Sequence, residues 1–176
     1  MDGSQSYLGS ALVEHIEIGI IILDTELRIQ YWNTFISQCS GKALQQARQQ
    51  PLTSIFPEAD TPRLDKMLAL ARDHGQHVYT QWRENPYLIQ LPYDTAGQPA
   101  PLMLQSTLLF PFSDMDGQQR FGLLLYDTSE FARANEQLDV ALNALSSKQI
   151  EQEQLVKKLE KANSQLMQSE KLAAIG

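Results

Sequence analysis

A single cysteine, Cys39, stands in a chain of 176 residues. One thiol excludes an intrachain disulfide and a cysteine-based zinc cluster, and such sparse use suits a reducing compartment. The first 17 residues lack the basic stretch and long apolar core of a secretory leader. The longest apolar run, Ile18 to Leu23, is far short of the roughly 20 residues that a membrane-spanning helix needs. A cytoplasmic location is therefore the expectation, with no membrane partner. Positive charge is scarce: 14 Lys and Arg face 21 Asp and Glu, for a net charge of -7. Nucleic acids and anionic lipid surfaces bind through Lys and Arg, so neither is an expected partner. Nucleotide and hydrolase motifs are missing as well. There is no GxxxxGK[ST], GxSxG or HExxH, and no catalytic residue or enzymatic activity is expected of this segment.

Proline and glycine vanish over the last third of the chain. All eight Pro and eight of the nine Gly precede residue 130, and the remaining glycine is Gly176. Glu, Gln, Lys, Leu and Ala then run uninterrupted, a composition that predicts one long helix. Counting by sevens from Phe131 gives Leu138, Leu145, Gln152, Leu159, Leu166 and Ala173. Four residues after each stands Asn135, Leu142, Gln149, Val156, Asn163 or Glu170. With the first set as d and the second as a, a 3.5-residue repeat predicts a parallel dimeric coiled coil. Its seam would be Leu138, Leu142, Leu145, Val156, Leu159, Asn163 and Leu166. Asn163 is the kind of polar a residue that fixes register. At ~1.5 Å per residue, Phe131 to Ala173 would make a rod of about 64 Å. Gln149 and Gln152 interrupt the seam, either as a tolerated defect or as a weak segment where the coil can shift. The alternative for the whole stretch is a single helix folded back on its own domain.

The region before it reads as α+β. Residues 1–17 form an N-terminal helix, with Leu8, Leu12, Val13 and Ile16 of Tyr7 to Glu17 on one face. Residues 18–130 form the globular domain, and residues 131–176 the coil. Ile18 to Leu23 and Leu27 to Trp32 read as a hairpin. Asn33 to Ser40 and Lys42 to Ala47 read as short helices. Thr61, as N-cap before Pro62, starts a longer helix that stops near Gly75. Val78 to Trp82, Leu102 to Phe112 and Gln119 to Tyr126 read as strands, the last two joined by the turn Asp114-Met115-Asp116-Gly117. The order β-β-α-α-α-β-β-β predicts a five-stranded antiparallel sheet with helices on one face. Glu84 to Pro101, with four Pro and one Gly, is long for a connection, and such loops are often functional or mobile.

These residues resemble the PAS sensor domains. Gly19 to Asp24, Ile29, Asn33 and Gly41 resemble the opening of that family. Pro111, the Asp116-Gly117 turn, Phe121 to Tyr126 and Asp127-Thr128 resemble its closing hairpin and terminal Asp-x-Thr signature, here lacking the middle residue. The resemblance covers residues 12–131. Gln168 to Gly176 resembles the lead-in to the dimerisation helix of a sensor histidine kinase, where the phospho-accepting His follows a short way on. The resemblance implies a homodimeric sensor module of a two-component histidine kinase, whose response regulator would be met through the kinase region. Asp127 and Thr128 would couple the last strand to the helix. A ligand-free dimerisation scaffold and a cyclase-linked sensor are the alternatives.

The family's cavity between sheet and helices would be lined here by Ile22, Trp32, Phe35, Phe56, Leu64, Leu68, Met103, Leu104 and Leu123. A plain core explains the same residues. Gln105 and Ser106 are more informative. One of two adjacent residues in a half-buried strand points inward, and a buried polar group needs a partner, from a small-molecule ligand or from the protein itself. No cofactor is assigned. Some haem-binding relatives use a His near the region of His74 and His77, and the resemblance leaves haem or flavin as unfavoured alternatives; as a metal-binding pair, the two His are split by Gly75 with no third ligand close by. Cys39 lacks the Asn-Cys-Arg-Phe setting of flavin photoadducts. Trp32 is more simply a core aromatic than a flavin contact. His15 stands alone on the entry helix, and no metal site is expected.

Overall fold

A computed structural model of the chain describes residue 9, residues 11–92 and residues 101–176. They fall into two units, one up to Glu130 and one from Phe131 to Gly176. The first contains five strands: β1 (Ile18–Leu23), β2 (Ile29–Trp32), β3 (Val78–Thr80), β4 (Gln105–Ser113) and β5 (Gln119–Asp127). They form one antiparallel sheet in the order β2-β1-β5-β4-β3. The first and last strands of the domain are thus central neighbours, with Ile18 opposite Tyr126 and Leu23 opposite Phe121. Helices α1 (Thr34–Ser40), α2 (Leu44–Ala47), α3 (Leu52–Ile55) and α4 (Thr61–His74) lie between β2 and β3 in the chain.

Local chemistry places the boundaries. In the β4–β5 hairpin the Asp114 carboxylate accepts from the Asp116 and Gln118 amides at 3.0 and 2.8 Å, and Gly117 supplies φ +74. Helix α4 begins one residue earlier than the Thr61-Pro62 pair suggests. Asp60 is the cap, its carboxylate accepting from the Arg63 amide at 3.2 Å. Thr61 and Pro62 occupy the first turn, where a missing N–H costs nothing. Gly75, at φ +63, ends the helix. Helix α3 was not legible as a helix. The third strand is shorter than Val78 to Trp82, and β4 starts at Gln105 rather than Leu102. Of the entry helix, residues 9 and 11–15 are helical, and Tyr7 and Leu8 lie outside the described residues.

Burial alternates along β1, so that Gly19, Ile21 and Leu23 face inward and Ile18, Ile20 and Ile22 face the other way. The core joins Ile21, Leu23, Ile29, Trp32, Leu109, Phe121, Leu123 and Leu125 of the sheet to Ile36, Leu52, Leu64, Leu68 and Ala71 of the helices. Each large side chain so buried contributes about 1.5–3 kcal/mol. Helix α5 (Ser129–Ile175), 47 residues long, starts at the end of the first unit and makes up the second from Phe131 onward, and every residue from 136 onward is exposed. Among the described residues, no helix is long and apolar enough to cross a membrane.

Candidate functional site

The structure gathers most of the expected lining residues into one core. Trp32, Phe56, Leu64, Leu68, Met103 and Leu123 belong to it, and Phe35 packs at its margin. Trp32 stands 5.9 Å from the Phe56 ring, and its Nε1–H donates to Ser37 Oγ at 2.9 Å. Ile22 and Leu104 do not join them; both are half-buried. Ile22 sits on the opposite face of β1 from Ile21 and Leu23, a parity that a run of consecutive apolar residues conceals.

Residues 85–91 run beside β4 and send three side chains into the interior. Leu88, Ile89 and Leu91 are fully buried in the same core. An uncovered backbone in that position would leave costly unpaired groups, and Gln105 supplies the partners. Its Oε1 accepts from the Leu88 and Ile89 amides at 3.2 and 3.4 Å, and its Nε2 donates to the Ile89 carbonyl at 2.6 Å. Its own amide donates to the Pro86 carbonyl at 2.8 Å, and the Met103 amide to the Leu91 carbonyl at 2.8 Å. From the helix side, the Asp60 amide donates to the Leu88 carbonyl at 2.9 Å. Arg63 donates through one nitrogen to the carbonyls of Asn85 and Tyr87 at 3.1 and 3.2 Å, and through the other to Thr80. The Arg63 Nε is buried without a hydrogen-bond partner. Burial holds the guanidinium below its ordinary pKa, opposed by nearby Asp60. Gln105 thus meets its hydrogen-bonding need within the protein. Ser106, also buried, accepts from the Trp82 amide at 3.4 Å.

A second cluster joins Leu104, the residue before β4, to the start of α5. The Leu104 carbonyl accepts from the Thr128 amide at 2.8 Å and from the Thr128 hydroxyl at 2.9 Å. The Leu104 amide donates to Ser129 Oγ, and the Ser129 amide to the Asp127 carboxylate, both at 2.9 Å. Asp127 and Thr128 therefore tie strand to helix start. Ser129, buried, is the residue that reading the Asp-Thr pair alone missed; its position directly after that pair was the available signal.

A third cluster holds the entry segment. Glu14 accepts from the Tyr31 hydroxyl at 2.6 Å, from the Thr34 amide at 2.9 Å, and from the Thr34 hydroxyl. The hydrogen bonds from the Thr34 and Tyr31 side chains hold the Glu14 carboxyl below the usual carboxylate range. Burial, and then the neighbouring carboxylate, push the Tyr31 hydroxyl up. A depressed folded-state pKa stabilises the fold above the unfolded pKa, and that contribution is lost as pH falls through the folded value. Glu14→Ala removes these hydrogen bonds at a site open to solvent, so it should cost at most about 1 kcal/mol at neutral pH and flatten the acid limb of a stability–pH curve. Urea denaturation from neutral pH downward checks this; an unchanged acid limb would show that Glu14 is not the titrating tie.

His74, the last residue of α4, and His77, two residues past its Gly75 cap, are both exposed. Among the described residues no group of three or more His, Cys, Asp or Glu is placed to hold a metal. On α5, Leu138, Leu142, Leu145, Val156, Leu159 and Leu166 are each more than half exposed. Val156, Leu159, Asn163 and Leu166 border one shallow groove along the helix.

Residues 13–133 match the family model described as the PAS fold. No curated protein matches the chain. Among solved structures, the PAS domain of nitrogen regulation protein NR(II) from Vibrio parahaemolyticus is similar, with TM-score 0.51 and 16% identity. The match covers 68% of this chain and 97% of that one. A PAS domain from Colwellia psychrerythraea has TM-score 0.51 and 14% identity over 72% of this chain and 98% of that one. An RNA-binding light-oxygen-voltage receptor has TM-score 0.56 and 14% identity over 81% of this chain but 38% of its own. At these identities the likeness concerns the fold. With the family model spanning residues 13–133 of 176, the chain belongs to the PAS fold family.

Proposed function

We propose that this chain is the sensory and signal-transmitting module of a cytoplasmic two-component histidine kinase, acting as a homodimer through a parallel coiled coil of α5. The observation that carries the proposal is the junction at Leu104, Thr128 and Ser129, which fastens the sensor's central strands to the first turn of a helix with an exposed heptad seam. Charge favours the parallel arrangement. Lys148 precedes a position a, and Glu153 follows a position d. In a parallel, in-register pair, g of one helix faces the next e of its partner, so Lys148 meets Glu153. An antiparallel pair would bring the e residues Asp139, Glu153 and Glu160 toward one another. Gln168 to Gly176 supports the kinase output and the response regulator as its eventual partner.

A second reading, a ligand-free dimerisation scaffold, is favoured by one observation: the interior is occupied by Leu88, Ile89 and Leu91, and Gln105 is satisfied by the chain itself. Native mass spectrometry with a near-ultraviolet and visible absorbance scan separates the two. A dimer with added mass or a visible band supports the ligand-binding sensor and identifies haem or flavin. A dimer of twice 19.9 kDa with neither supports the scaffold. A monomer overturns the parallel coil.

A further inference from the structure

We propose that residues 85–91 form a releasable internal strap, and that its release is coupled to fraying of the first turn of α5 through the three consecutive residues Met103, Leu104 and Gln105. The inference adds a regulatory element to the signalling reading and rests on it only for its biological purpose.

The coupling follows from the alternation of an extended chain, in which successive backbone groups point to opposite sides. The Met103 and Gln105 amides turn toward the strap, to the carbonyls of Leu91 and Pro86. Both backbone groups of Leu104, between them, turn toward Thr128 and Ser129. The strap and the helix start thus hold alternate residues of one short segment. The Gln105 side chain adds three hydrogen bonds on the strap side, and Gln105 stands opposite Asp127, whose carboxylate holds the Ser129 amide. If the strap leaves, residues 103 and 105 lose the partners that set their orientation, and Leu104 no longer presents its amide and carbonyl squarely to the helix cap.

Two features make the strap an element with a second state rather than ordinary core. Pro86 and Pro92 bracket its apolar residues and stiffen its ends, so it moves as a unit. The Arg63 guanidinium that grips the Asn85 and Tyr87 carbonyls keeps a buried Nε without an acceptor. That unmet donor is a standing cost of the closed state and offsets part of what the two carbonyl bonds contribute to it. An apolar molecule competing for the space of Leu88 and Ile89 would bias the same equilibrium.

Hydrogen–deuterium exchange on the full chain tests this. Gln105→Leu keeps the volume and removes the three side-chain bonds. Peptides covering 86–91 should exchange about tenfold faster, and those covering 128–135 should quicken with them, while β1 is unchanged. Coupling is reciprocal, so Ser129→Ala, which touches only the helix side, should also quicken 86–91. Acceleration confined to the mutated side in either variant would overturn the proposal. If Gln105→Leu loosens β1 as well, the whole domain has been weakened, and Ser129→Ala alone decides. Neither measurement reads dimerisation or kinase output, so this inference and the signalling reading fail separately.

Discussion

Replacing Asn33 by alanine should destabilise the domain by about 3 kcal/mol, a large share of the 5–15 kcal/mol that holds a domain of this size. The side chain is fully buried, and all of its hydrogen-bonding capacity is used. Its Oδ1 accepts from the Ile20 amide at 3.1 Å and, as cap of α1, from the Ile36 amide at 3.5 Å. Its Nδ2 donates to the carbonyls of Val13 and Ile18 at 3.0 and 2.8 Å. One amide therefore joins the entry segment, β1 and the start of α1. Truncation removes a hydrogen-bond partner from four backbone groups, and each such group that is buried and left unpaired costs about 1–3 kcal/mol before the structure relaxes or water enters. Losing the cap accounts for roughly 1 kcal/mol of the total. Asn33→Asp is the sharper variant, because it keeps the acceptors and turns a carboxylate toward two carbonyls; it should be at least as damaging. Urea midpoints at constant m-value measure both. A loss below about 0.5 kcal/mol for the alanine variant would show that the three segments are held together by other contacts.

Asn33 was visible in the sequence as the residue opening a helix after a strand, but its reach back to Val13 and Ile18 was not. That pattern holds across the domain. Features made by neighbouring residues were legible: the Asp114 to Gly117 turn, the Gly75 stop, and the unbroken composition of α5. Features made by distant partners were not. Ile18 to Leu23 is apolar at nearly every position, so nothing in it says which parity faces the helices, and Ile22 was expected where Ile21 and Leu23 stand. Asp60 and Thr61 are both good caps; the chain direction entering α4 chooses Asp60. Gln105 was recognisable as a polar residue headed for the interior, and the open question was its partner. The answer lay in the proline-bracketed connection, whose Leu88, Ile89 and Leu91 follow neither a helical nor a strand period. Three apolar residues in a segment otherwise read as an open loop were the one sign that it folds inward.

Leu159→Glu combined with Leu166→Glu should convert the proposed dimer to monomer, raising its dissociation constant at least about 1,000-fold. Both residues occupy d positions and are 69% and 61% exposed in the single chain, so neither substitution disturbs packing within it. In a parallel pair each leucine would face its counterpart. The double variant then removes four buried leucines, worth about 1.5–3 kcal/mol apiece, and sets like charges against each other. Two controls tie the effect to the seam. Val140 and Leu172 are as exposed, at 64% and 73%, but lie at f and c; Val140→Glu and Leu172→Glu should leave the dimer intact. Asn163→Leu should strengthen association while loosening its register, since the polar a residue trades stability for alignment. Sedimentation equilibrium on the full chain reads all four. If the double variant remains dimeric, the contact lies elsewhere, and α5 would not be the element that carries the signal between protomers. If it dissociates while Val140→Glu does not, the narrow stripe is the interface. The Gln149–Gln152 interruption, flanked by Lys148 and Glu153, then becomes the segment where that interface is weakest and a shift in the helices would start.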